Sequence, residues 1–109
     1  MIRHNSDIPP EGEEFYEERS EEEVLDAIDE LFDKVWYNRH QELRELVESG
    51  QEDCDPKIWE QALAKAEEIE AKYGLENLGP WDDFEWGMLN GKLSALRWLI
   101  GFEWDMLDT

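Results

Sequence analysis

The spacing of the apolar residues is the feature that most limits how this chain can fold. Between residues 20 and 100 they recur at intervals of three and four, the period of a helix that buries one face. No segment alternates apolar and polar residues as a half-buried strand does. The sequence therefore predicts a small all-α fold, a three-helix bundle, or four helices if a short C-terminal turn at 102–107 is counted.

Capping signals predict where the helices begin and end. Serine or aspartate before a helix, proline in its first turn and glycine after its end are the usual markers. They predict helices over about 20–48, 56–73 and 80–100. The residues that give these signals are Ser20 with Glu23, Asp55-Pro56, Gly74, Pro80 and Gly101. The polar patch at 37–40 interrupts the apolar stripe of the first helix, so a kink or break there is an alternative.

The third predicted helix is apolar over more than half of its circumference. A helix of that kind belongs in the middle of a fold or in an interface, and we expect this one to be central. Asn90-Gly91 also resembles a hairpin turn, which leaves short strands at 84–89 and 92–96 as an alternative.

The C-terminal part repeats itself: FEWGMLN at 84–90 is followed by FEWDMLD at 102–108. The offset of 18 residues is five helical turns, so a continuous helix would place both copies on one face. Either the copies are two docking patches, or each buries its own local groove. The aromatic residues of this region are the candidate interaction residues: Trp81, Phe84, Trp86, Trp98, Phe102 and Trp104.

Small residues at 87, 91 and 95 suggest that another helix packs closely here. Gly87, Gly91 and Ala95 are four residues apart and share a face. Each glycine inside a helix costs about 1 kcal/mol relative to alanine, which a close neighbour would offset. The neighbour is the first helix of the same chain or a second copy, and we expect Gly91→Leu to unfold or dissociate the protein.

Negative charge dominates the composition. Thirty acidic residues face ten basic ones, for a net charge of −20, and residues 11–30 hold eleven acids and one base. Such a surface repels nucleic acid and anionic lipid and attracts basic protein surfaces. Residues 1–19 are predicted to form a flexible acidic arm before a single helical domain at 20–109. The candidate acidic contacts lie around this boundary: Glu17, Glu18, Glu21 and Glu22.

The sequence contains no recognisable catalytic, cofactor or metal motif. The two histidines, His4 and His40, lack metal-ligand spacing, and we interpret the single Cys54 as an inert loop residue. We therefore expect no enzyme activity and no cofactor. A carboxylate-based metal-binding protein or enzyme remains an alternative, because residue spacing cannot reveal a cluster formed in the fold. With one cysteine, no signal peptide and no apolar run of membrane length, we expect a cytoplasmic chain.

The stretch WDDFEWGMLNGKLSALRWLIGFEWDMLDT, at 81–109, resembles the C-terminal signature of a group of small uncharacterised prokaryotic proteins. The resemblance covers about a quarter of the chain and implies a prokaryotic or mobile-element origin. It implies no activity and transfers no functional residue.

These observations predict a non-enzymatic acidic interaction protein that acts by binding a partner protein. The partner is either a protein with a basic surface or a second copy of the chain. A nucleic-acid mimic that occupies the basic groove of a DNA- or RNA-binding protein is the alternative. Direct binding to nucleic acid or to a membrane is not expected.

Overall fold

The structure, a computed structural model, describes residues 17–104. Within this range it contains three α-helices, α1 (Glu21–Glu48), α2 (Pro56–Tyr73) and α3 (Asp83–Leu99), and a short 3-10 helix at Leu75–Asn77, without any strand. The all-α prediction is confirmed. The hairpin alternative is wrong, because 84–96 lies entirely inside α3.

The first helix begins at the predicted capping box. The Ser20 hydroxyl accepts a hydrogen bond from the Glu23 backbone N–H at 3.1 Å, and the Glu23 carboxylate accepts one from the Ser20 N–H at 2.9 Å. These bonds satisfy two backbone donors that the helix itself leaves free. α1 then continues without a break through 37–40, so the predicted alternative of a kink is wrong.

The second helix also has the predicted ends. The Asp55 carboxylate accepts hydrogen bonds from the backbone N–H groups of Lys57 and Ile58, and Pro56 occupies the first turn. The helix stops at Gly74, whose φ of +87° lies in the region that favours glycine.

The third helix begins later than predicted, at Asp83 and not at Pro80. Asp82 is the N-cap: its carboxylate accepts from the Glu85 N–H at 2.8 Å, and the Glu85 carboxylate accepts from the Asp82 N–H at 3.0 Å. This capping box fixes the first turn downstream of the proline. At the other end, Gly101 follows the last helical turn with a φ of +114°, as its position in the sequence predicts.

The shared element of the fold is α1. It packs against α2 and against α3, whereas the Cα atoms of α2 and α3 do not come within 8 Å of each other. Residues 27–31 of α1 border a groove with 92–96 of α3, and residues 38–45 border another with 80–86, so α3 runs antiparallel to α1.

The prediction that the third helix is central is therefore wrong. The reason is length and patterning: α1 has 28 residues with apolar side chains on two sides, enough to hold both shorter helices. Within residues 17–104, α3 packs through one side, and α1 is the only helix that it contacts.

The buried core is small and lies mainly between α1 and α2. Tyr37 packs there with Ala66, Ile69 and Leu78, and the half-buried Tyr73 lies against this cluster. Two tyrosine hydroxyls connect the helices by donating hydrogen bonds to carboxylates: Tyr37 to Glu70 at 2.6 Å, and Tyr73 to Asp33 at 3.0 Å.

The described range begins inside the predicted arm and ends inside the predicted C-terminal turn. Residues 17–19, the last part of the predicted arm, are non-helical and exposed, and the remainder of the arm lies outside the described residues. Of the predicted C-terminal turn at 102–107, residues 102–104 are not helical, and the rest lies outside the described residues.

Candidate interaction surface

The third helix has two apolar faces, and α1 covers one of them. Leu93 is fully buried, and Trp86, Leu89 and Leu96 are half-buried on the same side. Because α3 contacts no other helix, these side chains are buried against α1. This contact satisfies one side of α3 and leaves the opposite side without a neighbouring helix in the described chain.

The opposite side carries a second apolar stripe, which we name the α3 seam. Its members recur at intervals of four, three, four and three residues, so they form one strip along the helix. All of them are solvent-exposed: Phe84, Met88, Gly91, Ala95 and Trp98. Phe84 at one end exposes 75% of its surface, and Trp98 near the other exposes 48%.

The glycines beside and within the seam have free space around them. A Cβ atom built on Gly87 or on Gly91 would meet no atom within 4 Å. The close neighbour predicted for these residues is therefore not α1, which lies on the other side of the helix. Within the described chain nothing offsets the conformational cost of these glycines.

Aromatic side chains also cluster where α3 ends. The rings of Trp98 and Trp104 meet edge to face, 5.2 Å between centroids. The Arg97 guanidinium lies 5.4 Å from the ring of Phe32 in α1 and 5.5 Å from that of Phe102. Cation–π contacts of this kind hold the non-helical end of the chain near the last turn of α3 and beside α1.

The predicted aromatic residues thus divide into two groups. Phe84, Trp98, Phe102 and Trp104 are exposed, whereas Trp81 and Trp86 are half-buried. Met88, a member of the seam, and Leu99 beside it are also exposed, and were not among the candidate interaction residues predicted from the sequence. Counting heptad positions along 84–98, rather than aromatic residues alone, would have found Met88.

The acidic surface lies on a different element. α1 holds ten acidic and three basic residues, and the predicted contacts Glu17, Glu18, Glu21 and Glu22 are all exposed. The backbone N–H of Ser20 holds the pKa of Glu23 below its usual value, since it donates a hydrogen bond to that carboxylate. In α3 the formal charges cancel, with Asp83 and Glu85 against Lys92 and Arg97.

A buried histidine lies in α1, where sequence analysis saw only a polar patch. The ring of His40, which is 4% exposed, stacks on Trp36 at 4.9 Å and lies 5.3 Å from Trp59. Its Nε2 has no hydrogen-bond partner among the described residues. Burial lowers the pKa of His40, and the positive charge of Arg44 lowers it further, against an opposing effect of Glu70.

The arrangement supports binding better than it supports chemistry. Among residues 17–104, no three histidine, cysteine, aspartate or glutamate side chains are grouped as metal ligands. The same part of the chain contains no helix that is long and apolar enough to cross a membrane. Cys54 is a half-buried free thiol in the loop between α1 and α2. The absence of enzyme activity stays a prediction.

Comparison with other proteins adds no relative to this description. No protein-family model matches the chain, and no curated protein or solved structure is significantly similar to it. The resemblance of residues 81–109 to small prokaryotic proteins therefore stays a prediction.

Proposed function

We propose that this chain is a non-enzymatic interaction protein whose α3 seam binds a partner protein. One observation carries the proposal: the seam is a continuous apolar strip on a helix whose other face is already packed against α1. A surface helix of a globular protein normally turns its second face, with polar residues, toward water. Here that face presents Phe84, Met88 and Trp98 instead.

The amount of exposed aromatic surface supports the same proposal. Phe84, Trp98, Phe102 and Trp104 expose between 43% and 75% of their surface. At about 200 Å² per aromatic side chain, this is roughly 450 Å² of aromatic area on α3 and the residues just after it. The largest apolar patch of a soluble monomer is typically about 300–600 Å² and is often functional, so an area of this size supports a binding role.

The test is affinity capture from the native host with the full chain as bait. We compare the unchanged chain with Phe84→Glu/Trp98→Glu, which places charge in the seam. Ile58→Glu is the matched control, because Ile58 is a 60% exposed apolar residue on α2. The seam variant should lose the partner that the other two baits retain. Equal recovery by all three baits would rule out the seam as the binding surface.

A nucleic-acid mimic is the second candidate function, and the exposed acids at the start of α1 favour it. Carboxylates there would attract the lysine and arginine side chains of a DNA- or RNA-binding protein. Such a complex should dissociate when NaCl is raised to about 1 M, where the Debye length falls to about 3 Å. A partner held by the apolar seam should stay bound. Glu21→Gln/Glu22→Gln should weaken only the salt-sensitive complex.

The third alternative, a carboxylate-based metal-binding protein or enzyme, receives no support from the described residues, which offer no grouped ligand set. We also propose a cytoplasmic setting in a prokaryotic host. The single cysteine and the C-terminal resemblance support that setting.

A further inference from the structure

We infer that the partner seated on the α3 seam is a second copy of this chain, with the two α3 helices packed antiparallel across their glycines. The inference rests on the proposed function, because it uses the same surface and names its occupant. Three observations favour a second copy over an unrelated partner: the sizes of the seam residues, the charges beside them and the exposed area.

The side chains of the seam are complementary in size to the same seam turned around. When Phe84 of one copy lies over Ala95 of the other, Met88 lies over Gly91, and the twofold axis repeats both contacts. Phe84 and Met88 of each copy then fill the space above a small residue of the other. The open space around Gly87 and Gly91 lets the two helices approach closely, which accounts for both glycines.

The charges beside the seam are complementary in the same arrangement. Glu85 and Lys92 are seven residues apart on one edge of the seam, and antiparallel packing brings Glu85 of each copy to Lys92 of the other. The Oε1 atom of Glu85 accepts from the Asp82 backbone, which leaves Oε2 for the lysine. Both ion pairs form at once because of the symmetry.

Charge also argues against a basic partner at this site. The formal charges within α3 cancel, whereas the whole chain carries −20. A basic protein would be attracted to α1, where acids exceed bases by ten to three. The α3 seam is the surface on which two such acidic chains can meet with the least repulsion.

The available area suits a dimer of ordinary size. The exposed parts of Met88 and Leu99 add to the roughly 450 Å² of aromatic surface. A standard interface buries about 800 Å² on each partner, which the seam and its polar edges can supply. In the dimer, the two α1 helices lie on the far sides of the paired α3 helices and remain exposed.

The first experiment measures the mass of the full chain by sedimentation equilibrium up to about 100 µM, where micromolar complexes form. We expect a dimer for the unchanged chain. Gly91→Glu should weaken it by about 100-fold or more, since two bulky charges meet at the crossing. Gln61→Glu, the same new charge on the exposed surface of α2, should leave it unchanged.

The melting temperature of the dilute monomer distinguishes a loss of folding from a loss of association. Glutamate forms helix better than glycine, and Gly91 has open space around it, so Gly91→Glu should melt at the same temperature or higher as a dilute monomer. The dimer should also become stronger between about 50 and 500 mM NaCl, because salt screens repulsion between the acidic chains. A basic partner would show the opposite salt dependence.

The second experiment tests orientation by disulfide formation in a Cys54→Ser background. Gly87→Cys chains mixed with Ser94→Cys chains should cross-link, because antiparallel packing brings these two positions together. Parallel packing would instead cross-link Phe84→Cys chains to each other, because it brings equivalent positions of the seam together, and would overturn the antiparallel arrangement.

The outcomes separate this inference from the proposed function. A chain that stays monomeric at all concentrations, while Phe84→Glu/Trp98→Glu still loses a captured protein, overturns the dimer and keeps the seam as a binding surface. A dimer that forms equally well with Gly91→Glu overturns the inferred interface. If the seam variants keep both self-association and partner capture, the inferred dimer and the proposed function are both overturned.

Discussion

At the scale of single residues, the contact between α1 and α2 combines apolar packing with a few buried polar atoms. Tyr37 is 4% exposed and donates its hydroxyl proton to Glu70. Burial, together with this bond to Glu70, raises the pKa of Tyr37 to about 12. His40 is equally buried but leaves Nε2 without a partner in the described part of the chain. Tyr37 thus strengthens the contact between α1 and α2 through a hydrogen-bonded hydroxyl. His40 makes the stability of this contact depend on protonation.

Removing the Tyr37 hydroxyl should destabilise the fold measurably. Tyr37→Phe leaves the Glu70 carboxylate beside an apolar ring, which costs about 1–3 kcal/mol for an unpaired charged acceptor. Urea unfolding followed by circular dichroism measures the change. Tyr73→Phe is the matched control: its bond to Asp33 is longer, 3.0 Å, and Tyr73 is half-buried where Tyr37 is buried, so its cost should be smaller. Equal costs would contradict this account of Tyr37.

His40 should make stability fall at mildly acidic pH. Its folded-state pKa is lowered, so below about 6.5 the unfolded chain binds the proton first, and the free energy of unfolding decreases as pH falls. The urea midpoint at pH 7.5 should exceed that at pH 5.5. His40→Phe keeps a ring between Trp36 and Trp59 without a titrating group, and its midpoint should change less. The same pH dependence in both proteins would exclude His40 as its source.

At the scale of elements, α3 combines a face that holds the fold with a face that does not. Its α1-facing side contains the fully buried Leu93, and its opposite side carries the seam. Sequence periodicity finds both apolar strips but cannot distinguish them, because both have helical spacing. Only the position of α1 decides which strip is buried within the chain.

A pair of substitutions on α3 tests this difference. Leu93→Ala removes a side chain with no exposed surface and should cost about 2–5 kcal/mol, through lost burial and the cavity left behind. Phe84→Ala removes a larger side chain that is 75% exposed, and should change stability by less than about 0.5 kcal/mol in dilute solution. Urea unfolding at low protein concentration compares them. The reverse order would mean that the two faces are wrongly assigned.

At the scale of the whole molecule, negative charge opposes a fold with a small core. The described residues bury few large apolar side chains, while the chain carries a net charge of −20. The first half of α1, the helix that both others need for packing, holds seven acids and one base. Repulsion therefore acts on the element that unites the fold.

Salt should stabilise the folded chain for this reason. Raising NaCl from about 10 to 200 mM shortens the Debye length from about 30 Å to below 10 Å, and should raise the urea midpoint. Urea is the appropriate denaturant because it carries no charge and does not screen. Glu21→Gln/Glu22→Gln should show a smaller response to salt. An unchanged midpoint would mean that charge repulsion does not limit stability.

The sequence by itself determined the helices and most of their ends. The capping boxes, Asp55-Pro56 and the glycines at 74 and 101 act through neighbouring backbone groups, so their effect can be read within a few residues. The late start of α3 was missed because two competing start signals, Pro80 and Asp82, are two residues apart.

Only the tertiary structure decided which helix is shared and which apolar face stays open. Periodicity shows that a helix has an apolar face, but the neighbour that covers that face is set by contacts far apart in sequence. The two apolar strips of α3 are compatible with a central position in the bundle and with a peripheral one. The structure places α1 on one strip and leaves the other exposed, because the 28-residue α1 can hold both shorter helices while α3 contacts one.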